Sequence, residues 1–298
     1  MLSNTNILAL IGGGPNPKFD SNKVIIWDDL QGKVLTELCF YSDVKNVKLL
    51  REKLFVVCEN IIFIFDFETF ENTDIIETFS NPKGIISVSG KENNIVLAFP
   101  YSMKGIVMVK FCDCFNQRSW IINAHSSSIS CVSLSSDGSL LCTASDKGTI
   151  IKIFRTDTAE NIQELRRGYN DAVIYSISID PESKFLACTS DRKTIHIFKL
   201  NFSQNSENNE FKEENREKTQ NSKGFLEKFS NFFGNKYFNS EWFFAELRLR
   251  ENQLVCTFSE EKLHTLYVLG ISGKFYEITF DPKNEGSCKI INEKQIAS

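Results

Sequence analysis

The stretch ISCVSLSSDGSLLCTASDKGT, residues 129–149, returns one repeat later as IYSISIDPESKFLACTSDRKT, residues 174–194. Each copy holds an alternating apolar strand, a turn with acidic, glycine or proline residues, and a second strand that ends in Ser-Asp. A third strand ending in Ile-Phe follows in both copies. Short strands that repeat every roughly 40 to 45 residues are the signature of WD-type β-propeller blades.

Weaker copies of this pattern extend in both directions from the two central repeats. They are apolar runs separated by turn residues, which predict strands, and they lie at residues 23–28, 54–67, 95–111, 253–258 and 266–278. The sequence therefore predicts an all-β WD-repeat β-propeller that forms a single domain over residues 1–298, with almost no helix.

Residues 201–240 interrupt the repeats and are predicted to form a long interstrand loop. The polar part, 203–222, is predicted to be disordered because it has almost nothing to bury. The aromatic part, 223–238, predicts a short amphipathic helix between Ser222 as a cap and Gly234 as a stop. Its apolar positions on helical spacing are Phe225, Leu226, Phe229, Phe232 and Phe233. This face suits membrane insertion and packing on the propeller flank about equally well.

The composition indicates a globular chain without a polybasic surface. Hydrophobic residues make up 42% of the 298 residues and include 26 phenylalanines, which is enough for a large core. A formal net charge of −4 and a pI near 5.6 argue against a nucleic-acid partner held by counterion release. The sequence has no long apolar run and no signal-peptide pattern at its start, so we expect a cytoplasmic location.

The nine cysteines are scattered through strand-like runs without the spacing of a disulfide framework. A reducing compartment fits this distribution best. Cys112 and Cys114 have no second cysteine or histidine pair at zinc spacing. We therefore assign no metal and no cofactor.

The tetrapeptide Leu165-Arg166-Arg167-Gly168 lies between the two central repeats. Successive residues on a strand point to opposite faces, so the two arginines could serve two separate anion sites. Arginine suits phosphate because its planar guanidinium presents several N–H donors in a fork.

Taken together, these residues resemble the PROPPIN family, the phosphoinositide-binding seven-bladed propellers of autophagy. The family's diagnostic motif is Phe or Leu followed by Arg-Arg-Gly, which here is residues 165–168. The resemblance covers nearly the whole chain, at residues 8–14, 22–29, 96–100, 124–125, 144–149, 164–168, 190–198 and 237–242. At about 258 residues without the loop, the chain is predicted to form six blades or an incomplete ring that lacks the family's first blade.

The resemblance implies two headgroup sites, one on each side of the arginine pair. Arg166 would point into a first groove and Arg167 into a second. The residues that complete the two sites by resemblance are His125, Ser145 and Thr149 in the first, and Ser190, Thr194 and His196 in the second. Two departures bear on these sites: Lys152 stands where the family commonly has arginine, and Lys193 stands where it has a turn glycine.

The implied function is that of a phosphoinositide effector, specific for phosphatidylinositol 3-phosphate, its 3,5-bisphosphate, or both, acting in autophagy or related endolysosomal traffic. The chain would be a monomer bound peripherally to preautophagosomal or endolysosomal membranes. Its expected protein partner is the lipid-transfer scaffold protein of autophagy, contacted somewhere within residues 14–82. An alternative is a propeller scaffold with weak or no lipid binding. An enzyme is disfavoured, since neither a catalytic triad pattern nor a Gly-Lys-Ser phosphate loop stands out.

Overall fold

Six sheets form in this computed structural model, mostly by antiparallel pairing of strands that are neighbours in sequence. The structure describes residues 5–90, 94–112, 118–201 and 241–296. The first sheet has three strands: β1 (Ile7–Ile11), β2 (Lys23–Asp28) and β3 (Lys33–Cys39). The second has four: β4 (Val44–Leu49), β5 (Lys53–Cys58), β6 (Ile61–Asp66) and β7 (Asn72–Glu77). The third also has four: β8 (Ser87–Ser89), β9 (Ile95–Pro100), β10 (Ile106–Cys112) and β11 (Ser119–Asn123).

The two central repeats of the sequence form the fourth and fifth sheets. The fourth consists of β12 (Ile129–Leu134), β13 (Leu140–Ser145), β14 (Ile150–Arg155) and β15 (Asn161–Arg166). The fifth consists of β16 (Ile174–Ile179), β17 (Phe185–Ser190), β18 (Thr194–Lys199) and β19 (Ala245–Arg248). The sixth consists of β20 (Leu254–Phe258), β21 (Thr265–Gly270), β22 (Lys274–Thr279) and β24 (Lys289–Gln295), while β23 (Gly286–Ser287) pairs in parallel with β19.

The sheets pack face to face, as propeller blades do. The strands β13 and β17 are buried along their whole length, because each is covered by the sheets on both sides. The core between the fourth and fifth sheets joins Ile151, Ile153 and Leu165 to Ile177 and Phe198. Such continuous burial explains why the second strand of each repeat has few polar residues.

The first strands of the third to sixth sheets lie innermost, and β8, β12, β16 and β20 contact one another in that order. The Ser87 hydroxyl accepts a hydrogen bond from the Leu134 backbone N–H at 3.0 Å, and the Ser176 hydroxyl accepts one from the Cys256 N–H at 2.8 Å. A cavity of about 910 Å³ is bordered by β12, β16 and β20 and marks the centre of the propeller.

The all-β propeller prediction is confirmed, with six sheets. The described residues include no helix, and hence none that could cross a membrane. The predicted loop falls almost wholly on residues 202–240, which lie outside the described residues. So do the five positions of the predicted amphipathic helix, Phe225, Leu226, Phe229, Phe232 and Phe233, so their role in membrane insertion stays a prediction.

Candidate functional site

The tetrapeptide 165–168 lies at the end of β15, the outermost strand of the fourth sheet. Leu165 is fully buried in the core shared with the fifth sheet. Because side chains alternate along a strand, Arg167 points toward the same sheet and Arg166 points back toward the third. The predicted divergence of the two arginines therefore follows from the packing of Leu165. We call the space between the third and fourth sheets the first groove, and that between the fourth and fifth the second groove.

The first groove brings His125 against the fourth sheet. Its Nε2 lies 3.0 Å from the Thr143 hydroxyl, and Thr143 is fully buried. Lys152 belongs to the same groove and forms an ion pair of 3.2 Å with Glu164, the residue opposite it on β15. The charge of Lys152 is thus already balanced by a carboxylate. The Arg166 side chain is buried, and its backbone N–H bonds to the Glu241 carbonyl at 2.7 Å.

The second groove holds Ser190, Thr194 and His196 on the two strands that face Arg167. Ser190 and His196 are buried. The Thr194 hydroxyl oxygen and His196 Nδ1 are shielded from solvent and have no hydrogen-bond partner in the described part of the chain. Buried polar atoms normally find a partner, and leaving one without costs about 1–3 kcal/mol. Two such atoms in one groove provide hydrogen-bonding capacity that a water molecule or a polar ligand could use.

The Arg167 guanidinium is held in place by two backbone carbonyls. Its Nε donates to the Gly148 carbonyl at 2.9 Å, and one terminal nitrogen donates to the Asn170 carbonyl. The side chain is only 6% exposed, and this burial lowers its pKa. A guanidinium has five N–H donors, so donors remain for a ligand. The arginine is therefore both positioned and able to bind an anion.

Both histidines are uncharged at neutral pH. Burial lowers the pKa of His125 to about 4. Burial, helped by the positive charge of Arg167, lowers the pKa of His196 to about 4. His196 Nε2 also lies 3.6 Å from Glu246 Oε2, which is half exposed at the groove mouth. Neutral imidazoles can donate one hydrogen bond to a phosphate without adding net charge.

Lys193, which stands where the family has a turn glycine, adopts the left-handed backbone conformation that a glycine favours. Lys193 has φ 62°, and Gly148 at the same turn of the preceding repeat has φ 58°. Both residues donate their N–H to the carbonyl of the strand-ending serine, Ser190 or Ser145. The second groove therefore keeps the left-handed residue and its hydrogen bond to the serine, although that residue is a lysine instead of a glycine.

Thr149 and Thr194 do not hold equivalent backbone positions, although they match in the sequence. In the fourth sheet the Arg167 N–H donates to the Thr149 carbonyl. In the fifth sheet the corresponding Leu249 N–H donates to the Lys193 carbonyl. The repeat is one residue shorter there. His196 consequently stands where Lys152 stands, opposite a glutamate in each case.

A short segment, residues 241–243, returns from the undescribed stretch along the outer edge of β15. Glu241 forms a parallel bridge with Leu165. Trp242 packs against Tyr169 with ring centroids 5.1 Å apart, and Phe243 stacks on His196 at 4.8 Å and 9°. This aromatic segment fixes the His196 ring and borders the second groove.

Three polar side chains hold the two ends of the undescribed stretch together. The Glu241 carboxylate accepts hydrogen bonds from the Gln163 amide at 2.8 Å and from the Asn201 amide at 2.9 Å. The Gln163 amide also donates to the Lys199 carbonyl at 3.3 Å. Gln163 lies on β15, so both ends are fastened to the strand that carries the arginines.

Several contributors to the grooves were missed from the sequence: Thr143, Glu164, Phe243 and Glu246. Glu164 could have been found, because it lies two residues before Arg166 and so shares its face. Glu246 and Phe243 follow an interruption of about 40 residues, so no repeat spacing leads to them. Within residues 5–90, 94–112, 118–201 and 241–296, no cluster of His, Cys, Asp or Glu suited to a metal is found.

The amino-acid sequence was compared with those of known proteins. The family model PROPPIN matches residues 23–297. Autophagy-related protein 18e of Arabidopsis thaliana is 40% identical over 205 residues, covering 67% of this chain and 53% of that protein. SVP1-like protein 2 of Emericella nidulans is 40% identical over 201 residues, covering 67% of this chain and 62% of that protein. The chain thus matches only about half to three fifths of these relatives' length.

Solved structures share the fold at lower sequence identity. Kluyveromyces lactis Hsv2 with complete loop 6CD matches with a TM-score of 0.73 and 21% identity, covering 100% of this chain and 86% of that one. KlAtg21 in complex with the coiled-coil of AgAtg16 matches with a TM-score of 0.77 and 21% identity, covering 100% of this chain and 84% of that one. At this identity the likeness shows the propeller fold alone.

Proposed function

The chain belongs to the PROPPIN family, and from this premise we propose that it is a phosphoinositide-binding membrane effector. The ligands would be phosphatidylinositol 3-phosphate, its 3,5-bisphosphate, or both. The role would be that of a scaffold in autophagy or related endolysosomal traffic, and it involves no enzymatic step. Membrane attachment would be peripheral, from the cytoplasmic side.

The observation that carries this proposal is the unsatisfied polar lining of the second groove. Arg167 presents a fixed guanidinium there, and the Thr194 hydroxyl and His196 Nδ1 have no partner within the described residues. A phosphomonoester offers several strong acceptor oxygens and about two negative charges, which suits this donor set. An apolar ligand would leave the same atoms unsatisfied.

One groove alone would bind weakly, because a hydrogen bond to a charged group contributes only about 1.5–3 kcal/mol net. Two grooves on one rim bind two headgroups of the same bilayer, and the second event is favoured by a high effective concentration. In this proposal Arg166, with His125, Ser145 and Thr149, serves the first groove. Arg167, with Ser190, Thr194 and His196, serves the second.

The double variant R166T/R167T tests the proposal in flotation with vesicles that contain phosphatidylinositol 3-phosphate. Removing at least two charge-assisted contacts should lower vesicle binding by about 100-fold or more. The matched control is R118T/R250T, which removes the same charge from two exposed arginines. The proposal is wrong if the first variant floats like the wild type, or if the control loses binding equally.

A second candidate is a propeller scaffold with weak or no lipid binding, and one observation favours it. Both grooves contain a carboxylate opposite the basic position: Glu164 pairs with Lys152, and Glu246 lies beside His196. These carboxylates oppose an incoming phosphate. The same flotation experiment separates the two functions, since a scaffold of this kind would show no phosphoinositide-dependent flotation in the wild type.

We further propose protein partners of the kind its relatives suggest. The Atg21 neighbour was solved with the coiled-coil of Atg16, and the family resemblance implies a lipid-transfer scaffold protein contacted within residues 14–82. We propose no nucleic-acid partner, and the chain would act as a monomer. Pull-down of a coiled-coil segment and of a lipid-transfer scaffold by the wild type would test these partners, and failure of both would refute them.

A further inference from the structure

The fourth strand of each four-stranded sheet, β3 of the first sheet and β19 of the fifth end in the same way. In each sheet one residue pairs with the first residue of the neighbouring strand, and the next residue donates its N–H to the carbonyl just before that strand. We call these two residues the terminal pair. From the first sheet to the sixth, the terminal pairs are Cys39 and Phe40, Glu77 and Thr78, Asn123 and Ala124, Arg166 and Arg167, Arg248 and Leu249, and Gln295 and Ile296.

The two members of a terminal pair face opposite neighbours. In the fifth sheet, Leu247 and Leu249 pack into the core shared with the sixth sheet. Alternation therefore turns Glu246 and Arg248 toward the fourth sheet. The 3.6 Å approach of Glu246 to His196, which lies in the second groove, agrees with this direction. The first member of each pair thus faces the preceding sheet, and the second member faces the following sheet.

This rule assigns two terminal-pair residues to each groove. The second groove receives Arg167 from the fourth sheet and Arg248 from the fifth. The first groove receives Arg166 together with Ala124, and the groove between the fifth and sixth sheets receives Leu249 and Gln295. Among the described sheets, only the second groove is therefore lined by arginines from both walls.

Arg248 also lies beside the unsatisfied atoms of this groove. It is the cross-strand partner of Thr194, whose hydroxyl is buried without a hydrogen bond in the described part of the chain. The Arg248 side chain is exposed and forms no ion pair or hydrogen bond within the described residues. A guanidinium on the outer strand, a free hydroxyl beside it and Arg167 opposite make a three-sided donor set. Glu246 lies two residues before Arg248 on the same face of β19, and Asp191 and Asp171 act on Arg167 from the turns beside it.

We propose that Arg248 is a headgroup-binding residue of the second groove and that it makes this groove the stronger of the two phosphate sites. The inference rests on the proposed function, because it takes the ligand to be a phosphomonoester on an inositol headgroup. Arg248 does for the second groove what Arg166 does for the first, and Arg167 adds a second arginine that the first groove lacks.

The test compares R248Q with the wild type on vesicles that contain phosphatidylinositol 3-phosphate and on soluble inositol 1,3-bisphosphate. Glutamine is the residue that the sixth sheet carries at this position, so the fold should tolerate it. We expect R248Q to bind both ligands about tenfold more weakly, because one charge-assisted contact is lost. The control R250Q, an exposed arginine two residues on, should stay within about twofold of the wild type.

The outcomes separate the two levels of the proposal. If R167T weakens binding but R248Q does not, Arg248 is not a ligand and the proposed function stands. Inorganic phosphate serves as a third ligand in the same comparison; if R248Q weakens only its binding, the groove takes free phosphate and the inference is overturned. If R250Q falls as far as R248Q, the effect is general charge and the inference also fails. A wild type that binds neither ligand overturns the inference and the proposed function together.

Discussion

Replacing Thr194 by valine should stabilise the free protein and weaken its ligand binding at the same time. Valine keeps the shape of threonine and removes a hydroxyl that is buried without a partner in the described part of the chain. Burying an unpaired hydroxyl costs about 1–3 kcal/mol, so T194V should raise the free energy of unfolding by roughly 1–2 kcal/mol. Loss of the hydroxyl as a phosphate ligand should weaken vesicle binding by about tenfold.

The matched control is Thr189→Val, five residues earlier. The Thr189 hydroxyl is equally buried but is satisfied, since it donates to the Leu254 carbonyl at 2.6 Å and lies 3.0 Å from the Ser176 hydroxyl. T189V should therefore lower the free energy of unfolding by about 1–3 kcal/mol. Urea unfolding measures both changes, and vesicle flotation measures binding. The reasoning is refuted if T194V destabilises the protein as T189V does, or if T194V binds vesicles like the wild type.

Two further predictions concern the turn beside Arg167 and the two histidines. Gly148→Ala should destabilise the protein by at least about 2 kcal/mol in urea unfolding, because an added Cβ at φ 58° would lie 1.9 Å from the Ala172 carbonyl oxygen. Lys193→Gly, at the corresponding turn of the next repeat, should instead stabilise the protein by about 1 kcal/mol. Equal effects of the two substitutions on the free energy of unfolding would contradict this account. The free energy of unfolding should fall as the pH drops from about 6.5 to 4, since unfolded histidines take up protons that His125 and His196, with pKa values of about 4, resist in the fold. H196Q should flatten this dependence by up to about 3 kcal/mol, and an unchanged pH profile of urea midpoints would count against the burial of its imidazole.

The features that could be predicted from the sequence are those carried by short-range periodicity. The strands of the fourth and fifth sheets follow from two copies of one pattern, and period-two alternation is enough to send Arg166 and Arg167 to opposite faces. The placement of both arginines on an outermost strand follows from counting strands within one repeat. These features depend on neighbours a few residues apart, which a sequence displays directly.

The opposing carboxylates and the aromatic border could not be predicted in this way. The fifth sheet has one residue fewer between Ser190 and Phe198 than the fourth sheet has between Ser145 and Phe154. Aligning the two repeats by sequence therefore matches Thr149 with Thr194, although the two residues differ in their backbone hydrogen bonds. The contact of Phe243 with His196 joins residues on either side of a long interruption. Such contacts are set by packing between sheets, for which the sequence has no periodic signal.

The hydrogen bonds that join Asn201 and Glu241 to β15 bear on how this part of the propeller would respond to a mechanical pull. Residues 201 and 241 continue covalently into β18 and β19 of the fifth sheet, and through Gln163 and Glu241 part of a tension on them would also act on β15 of the fourth sheet. The same strand ends in Arg166 and Arg167, so a pull on the loop and a pull on a bound headgroup would act on one strand a few residues apart. Hydrogen bonds along a strand pulled lengthwise share the load and resist shear together, whereas a strand peeled from its edge loses them one at a time. The direction in which this strand is pulled would therefore govern how long the attachment lasts.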